Sequence, residues 1–236
     1  MKNIFERGLF LDEATHTYTL ADKPDAAFLS ATTFVNGYFA PFDELRIATD
    51  LCTNNSRYAD KTVQDLLNQW KNETQAGTDA HKELDNYFIN GSIPAMPKAK
   101  HGMEWMKRQN WDGMELCSEV GIFSESLGIA GTVDLIVRDT ATNIFSLYDW
   151  KTNKKLDYSG YGRKGIQPPT AHMEDCKFIK YSLQLSLYRY ILELEYDIKV
   201  AGHTILHLQN EGCREYPVNY LKPDLLEMIA HWKNKK

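Results

Sequence analysis

The stretch that decides the fold runs from Gly128 to Leu156 and reads GIAGTVDLIVRDTATNIFSLYDWKTNKKL. It holds two apolar segments, Thr132 to Val137 and Ile144 to Trp150, separated by a polar turn. Apolar segments of this length around a short polar turn predict an antiparallel β-hairpin.

Each predicted strand carries an acidic residue where the pattern predicts core. Asp134 lies within TVDLIV, and an ionised carboxylate among apolar neighbours is costly unless a positive charge lies beside it. Asp149 and Lys151 are two residues apart on the second strand, so their side chains project from one face. An isolated Asp-x-Lys is more often a surface ion pair than a site. Here a metal ion or the Lys151 ammonium would supply the positive charge that Asp134 needs.

Four short motifs in this chain order match one family. The sequence resembles the RecB-like exonuclease branch of the PD-(D/E)XK nuclease superfamily, which includes the mitochondrial genome maintenance exonuclease and many phage recombination nucleases. The matching motifs are GTDAH ending at His81, GTVD ending at Asp134, DWK from Asp149 to Lys151, and QLSLY from Gln184 to Tyr188. A single such motif is weak, whereas four in order are specific.

The resemblance implies an α/β fold with a restriction-endonuclease-like core, in which helices flank a central mixed β-sheet and an N-terminal helical elaboration covers the site. We expect one nuclease domain over residues 1–236. Within it, residues 1–112 would form the N-terminal hairpin and helical part that carries His81, and residues 113–236 the catalytic core. The sheet is expected from strands at 115–151 and 199–209, with helices at 63–90 and 175–196.

The resemblance also assigns roles to residues of the site. Asp134, Asp149 and the backbone carbonyl of Trp150 would bind Mg2+ or Mn2+, which take hard oxygen ligands. His81 would add a nitrogen ligand, which favours Mn2+, and Glu119 is a further candidate ligand. Lys151 would orient or deprotonate the attacking water and stabilise charge on the phosphoryl oxygens, and the Gln-x-x-x-Tyr element places Gln184 and Tyr188 at the catalytic site.

The activity implied is metal-dependent hydrolysis of phosphodiester bonds in DNA. The RecB-like branch acts mostly on single strands or DNA ends, so we expect an exonuclease in replication, recombination or repair. An endonuclease with flap or branch preference stays open. The alternative class is a non-cleaving nucleic-acid-binding or protein-interaction module that has kept the nuclease fold.

The charge distribution favours DNA as the partner more than the total charge does. The whole chain carries a net charge of -5, but residues 151–180 contain seven basic and three acidic residues. This basic segment would meet a phosphate backbone, through Lys154, Lys155, Arg163 and Lys164. Its loop at 157–170 would line the substrate with tyrosines that stack on bases, or it is a disordered surface excursion.

Cysteine spacing and hydropathy predict what the chain lacks. Cys52, Cys117, Cys176 and Cys213 include no close pair, so we expect free thiols and no iron-sulfur cluster. No apolar run has the length of a membrane span, and the first residues hold no signal-peptide core, so no membrane partner is expected. A cytoplasmic location follows, in the host cytoplasm if the gene belongs to a phage.

Several local features are predicted from pattern alone. Residues 8–20 predict a hairpin turning at Asp12 to Thr15, and Asp43 is a good helix N-cap. Gly77 would kink or break the long helix that carries His81. Strand alternation puts Glu119 on the face of Cys117 and Phe123, and helical spacing puts Leu194 in a buried stripe with Leu183, Leu187, Tyr190 and Ile191. His203 and His207 share one strand face and are given structural roles.

Overall fold

The structure, a computed structural model, describes residues 1–12, Thr15 and residues 17–235. It is an α/β fold in which helices flank a central mixed sheet. The helices are α1 (Lys2–Phe5), α2 (Ala31–Asn36), α3 (Glu44–Asn54), α4 (Val63–Asn90), α5 (Pro97–Arg108), α6 (Lys177–Glu195) and α7 (Lys222–Lys233). The strands are β1 (Leu9–Asp12), β2 (Thr17–Leu20), β3 (Lys23–Ser30), β4 (Met114–Ser124), β5 (Ile129–Asp139), β6 (Ile144–Lys151), β7 (Lys199–Leu208) and β8 (Cys213–Val218).

The predicted hairpin forms the middle of the sheet. β5 and β6 pair antiparallel, with Leu135 opposite Tyr148 and Asp139 opposite Ile144. β4 pairs antiparallel along the other edge of β5. β7 runs parallel to β6 and antiparallel to β8. The mixed sheet expected from the sequence is therefore confirmed.

The N-terminal part contributes strands to this sheet as well as helices. β1 and β2 form the expected hairpin, although Glu13 and Ala14 of its predicted turn lie outside the described residues. β3 pairs with β2 and then runs parallel to the start of β5, with Leu29 opposite Ile129. The sheet is thus wider than the strands at 115–151 and 199–209 that the sequence predicted. The parallel contact is only two residues long and joins distant parts of the chain, so no local pattern marks it.

Two apolar layers cover the two faces of the sheet. On one face the helices α2, α6 and α7 pack against β-strand residues such as Phe145 and Leu147. On the other face α4 and α5 pack against Leu135, Trp150 and Leu206. Successive β6 residues therefore pack in opposite apolar layers, as strand alternation predicts. The described residues include no helix with the length and apolarity required to cross a membrane.

The long helix α4 carries His81 across the sheet without a break. Its first turn is closed by a capping box between Thr62 and Asp65, and it ends at Gly91, whose φ is 76°. The expected break at Gly77 is wrong, because the helix continues through it. A Cβ atom at Gly77 would lie 2.9 Å from Oγ1 of Thr152. This glycine therefore allows the chain that leaves β6 to pack closely against α4.

Helix α6 matches its predicted apolar stripe except at its end. Leu183, Leu187 and Ile191 are fully buried, but Leu194 is 48% exposed. The prediction for Leu194 is wrong because the residue lies in the last turn of the helix, beyond the neighbouring layer. The N-cap predicted for α3 is confirmed, since the Asp43 side chain accepts the backbone N–H of Arg46.

Candidate metal centre

Three side chains from three elements meet where β4 and β5 face α4. Nδ1 of His81 lies 3.5 Å from Oδ2 of Asp134 and 4.0 Å from Oε1 of Glu119. One candidate ligand atom from each residue lies within 4.8 Å of the other two. An imidazole nitrogen and two carboxylate oxygens at such spacing can hold a divalent cation. The structure thus brings two of the main sequence candidates together and adds Glu119.

Asp134 lies where β5 has no neighbour on one edge. Along that edge β3 pairs only as far as Ala130, and β6 pairs only from Leu135 onward. The backbone N–H of Trp150 instead donates to Oδ2 of Asp134 over 2.7 Å. This hydrogen bond fixes the carboxylate and holds the Trp150 main chain, which the sequence analysis offered as a ligand, beside the site.

Glu119 reaches the site through an unusual backbone conformation. Its φ is +47°, in the left-handed region that residues other than glycine rarely adopt. The strand alternation shifts there, because Cys117 and Val120 both pack in the layer of α6 while Glu119 faces His81 on the other side. The prediction that Glu119 shares a face with Cys117 is therefore wrong. Backbone strain of this kind costs about 1–3 kcal/mol and is common at functional sites.

His81 and Asp134 form a charged pair. Burial lowers the pKa of His81, but the Asp134 and Glu119 carboxylates together raise it above its ordinary value. Burial likewise raises the pKa of Asp134, and the nearby His81 and Lys151 lower it below its ordinary value. The two shifts share one cause, the attraction between an imidazolium and a carboxylate. A divalent cation would replace the proton of His81 as the positive charge beside Asp134.

The positive charge near Glu119 does not offset the acidic side chains that surround its carboxyl group. Burial and the neighbouring Asp134 carboxylate raise the pKa of Glu119 to about 8. Asp85, one turn after His81 on α4, raises the pKa further, and its Oδ1 accepts a hydrogen bond of 2.5 Å from Ser118. The crowding of Asp134, Asp85 and Asp149 around Glu119 is the electrostatic pattern that a bound cation relieves.

Asp149 and Lys151 form a buried ion pair next to the three-residue group. The Lys151 ammonium contacts Oδ2 of Asp149, and the two side chains are 15% and 2% exposed. Burial raises the pKa of Asp149 to about 6 although Lys151 opposes the shift. Burial lowers the pKa of Lys151, but the Asp149 and Asp134 carboxylates raise it above its ordinary value. Asp149 stands beside the His81–Glu119–Asp134 group rather than within it.

Gln184 and Tyr188 contact each other on the face of α6 that is turned to the sheet. Nε2 of Gln184 donates to the Tyr188 hydroxyl over 2.8 Å, and it also lies 3.3 Å from Oγ1 of Thr32. Tyr188 is 3% exposed, and burial raises its pKa well above the ordinary value, with a further rise from Asp149. Gln184 and Tyr188 are therefore linked to each other by a hydrogen bond, and the neighbouring site acts on Tyr188 through the charge of Asp149, which raises its pKa.

The basic segment after β6 is partly neutralised by local acids. Lys154 pairs with Glu73 of α4, and Lys164 pairs with Glu174. Nε of Arg163 donates to the Gly160 carbonyl, which fixes its direction. Backbone hydrogen bonds and a β-bridge between Lys164 and Glu174 hold the loop at 157–170 against the rest of the protein. This argues against a disordered surface excursion. Tyr161 at its tip is 83% exposed, whereas Tyr158 packs on Phe178 with ring centroids 4.5 Å apart.

Tyr181 is the aromatic side chain that sequence reasoning missed at this site. The Lys151 ammonium lies 4.7 Å from the centroid of its ring. The available signal was its place three residues before Gln184, which puts both on neighbouring positions of one helix face. The two strand histidines are buried, and Nε2 of His207 lies 2.6 Å from the Asn153 carbonyl, in agreement with a structural role.

The fold and the site thus define an α/β protein with a histidine and carboxylates gathered beside a lysine. No family model matches the chain, and a search of the curated proteins finds no match. Among solved structures, the chain is similar to the crystal structure of SSO0001, with 14% sequence identity and a TM-score of 0.39. That similarity covers 87% of this chain and 76% of the other.

Proposed function

We propose that this chain is a metal-dependent deoxyribonuclease with a RecB-like PD-(D/E)XK core. The observation that carries the proposal is the meeting of His81, Glu119 and Asp134 beside the Asp149–Lys151 ion pair. These residues, apart from Glu119, come from three of the four motifs on which the sequence resemblance rests. The fourth motif lies on α6, whose Tyr188 is within electrostatic reach of Asp149 and Asp134.

The residues present fit a divalent cation. His81, Glu119 and Asp134 would hold it, and the neighbouring Asp149 carboxylate, which contacts Lys151, is the further oxygen ligand that the sequence resemblance implies. Such a cation lowers the pKa of a water and neutralises phosphoryl oxygens in phosphodiester hydrolysis. The imidazole ligand favours Mn2+ over Mg2+ in this donor set.

Lys151 would act as a fixed positive charge. Its pKa is raised by the Asp149 and Asp134 carboxylates, so the amine stays protonated at neutral pH. A protonated amine cannot take a proton from water, and this favours charge stabilisation and orientation over the role of base. Asp149 holds the ammonium in place from the sheet side.

DNA single strands or ends are the proposed substrate, and an exonuclease is the proposed activity. Support comes from the basic residues between 151 and 180 and from the exposed ring of Tyr161, which can stack on a base. Since Lys154 and Lys164 are paired with Glu73 and Glu174, phosphate binding there would require those pairs to open.

Cleavage of labelled single-stranded and double-stranded oligonucleotides with Mn2+, Mg2+ or EDTA tests the proposal. We expect products with Mn2+ and none with EDTA or with the Asp134→Asn variant. Glu115→Gln is the matched control, because Glu115 is an acid of β4 that pairs with Arg138 away from the site. Binding of the oligonucleotide without cleavage under all metal conditions would favour the non-cleaving binding module instead.

A further inference from the structure

The Lys151 ammonium is held between two unlike groups. On one side it contacts the Asp149 carboxylate. On the other it lies 4.7 Å from the centroid of the Tyr181 ring, which is within the range of a cation–π interaction. Lys151 is 15% exposed, so water screens these attractions less than it would at the surface.

The Tyr181 ring is itself fixed from two directions. Its backbone belongs to α6, and its hydroxyl lies 3.5 Å from Oδ1 of Asn153, two residues after Lys151. The Asn153 carbonyl lies 2.6 Å from Nε2 of the buried His207 on β7. The segment that follows Lys151 is thereby anchored to both α6 and the sheet, and the ring has little freedom to turn away.

We propose that Tyr181 is a positioning residue that holds the Lys151 ammonium toward the candidate metal centre. An aromatic face attracts a cation without carrying a net negative charge. A second carboxylate in that place would neutralise the ammonium, whereas the ring leaves its charge available to a phosphate. The consequence for cleavage rests on the proposed nuclease function, while the placement of the ammonium does not.

Three variants distinguish a positioning role of Tyr181 from a purely structural role. Tyr181→Phe keeps the aromatic face and loses only the long hydrogen bond to Asn153. Tyr181→Leu keeps apolar bulk but removes the face. Tyr190→Leu is a matched control on the same helix, because Lys222 lies 5.9 Å from the Tyr190 ring centroid and neither residue belongs to the site.

Steady-state cleavage of a single-stranded oligonucleotide with Mn2+ gives the first measurement. We expect Tyr181→Leu to lower kcat about ten-fold, the effect of losing one desolvated cation–π contact, with KM unchanged. Tyr181→Phe and Tyr190→Leu should retain the wild-type kcat. If wild type cleaves and Tyr181→Leu has the same kcat, the positioning role is overturned. If wild type does not cleave, the nuclease proposal fails and the second measurement decides the placement.

That second measurement uses NMR of protein labelled at the lysine ε-carbons and needs no activity. A lysine methylene over an aromatic face is shifted upfield by the ring current. Other lysines near rings, such as Lys180 at 5.0 Å from the Phe39 ring centroid, give upfield signals of their own, so Lys151→Arg assigns the Lys151 signal by its loss. We expect this assigned ε-CH2 signal to lie upfield, to persist in Tyr181→Phe and to move to the ordinary position in Tyr181→Leu. A Lys151 signal at the ordinary position in the wild-type protein would overturn the proposal.

Discussion

A Cβ atom on Gly131 would lie 2.5 Å from Cε1 of Tyr188, closer than real side chains approach each other. Gly131 begins the GTVD motif on β5, and Tyr188 ends the QLSLY motif on α6. Two motifs that are distant in the sequence are therefore parts of one contact. The glycine leaves the space that the tyrosine ring fills, and the ring is hydrogen-bonded to Gln184 through its hydroxyl.

Gly131→Ala should therefore destabilise the protein by overpacking. An added methyl group in a filled core costs about 1–3 kcal/mol, and for a chain of this size a change of 1 kcal/mol moves Tm by roughly 2–4 °C. Thermal unfolding of the variant measures the loss. The double variant Gly131→Ala with Tyr188→Leu should lose less than the sum of the two single changes, because leucine frees the space. Strict additivity would contradict the contact.

The Asp149–Lys151 pair predicts a second non-additive effect. Removing one partner of a buried ion pair leaves an unpaired charge and costs about 3–5 kcal/mol. We expect Lys151→Met and Asp149→Asn each to lower the free energy of unfolding, measured in EDTA with a chemical denaturant. The double variant should recover most of the loss, since no charge is left unpaired. An alanine at either position is thus expected to affect folding as well as cleavage.

The hairpin and its acids were predictable from the sequence because their signals are local. Apolar alternation in β6 placed Asp149 and Lys151 on one face, and the structure confirms their contact. The α/β class, the mixed sheet and the flanking helices were likewise predicted. The long helix was predicted too, and its His81 lies beside Asp134.

Features that depend on distant or irregular backbone were not predictable. The positive φ of Glu119 reverses the alternation on which its face was predicted. Gly77 reads as a helix breaker, but its use is close packing against Thr152, which only the folded chain reveals. Tyr181 carries no motif of its own, and its contact with Lys151 depends on how α6 lies across the sheet.

Divalent cations should raise the Tm of the protein through the three-residue group. A ligand that binds only the folded state stabilises it by mass action. We expect Mn2+ to raise Tm more than Mg2+, and His81→Ala or Asp134→Asn to remove the shift. Glu115→Gln should keep it, because that acid is paired with Arg138. A full Mn2+ shift in both site variants would contradict the metal centre.

Glu119 predicts how stability depends on pH when no metal is present. Its pKa in the folded protein is raised to about 8 by burial and by Asp134, from 4.5 as the ordinary value. Between these two values the folded state binds more protons than the unfolded state, so the free energy of unfolding falls as pH rises. The side chain is 35% exposed, and screening by water reduces the effect below what the shift alone implies. In EDTA, Glu119→Gln should therefore be more stable than wild type at pH 8 and closer to it at pH 5.

Bound Mn2+ should reverse the order of stability of wild type and Glu119→Gln at pH 8. A cation binds the ionised carboxylate, so binding must release the proton of Glu119 and also the proton of His81, whose pKa is raised by Asp134. The Tm shift produced by Mn2+ should accordingly be larger at pH 8 than at pH 6 in wild type, and smaller at pH 8 in Glu119→Gln than in wild type. Thermal unfolding of both proteins at the two pH values, with Mn2+ and with EDTA, gives the Tm under all four conditions. A Mn2+ shift that is the same at both pH values would mean that neither proton is displaced, and the cation would then bind elsewhere than between His81 and Glu119.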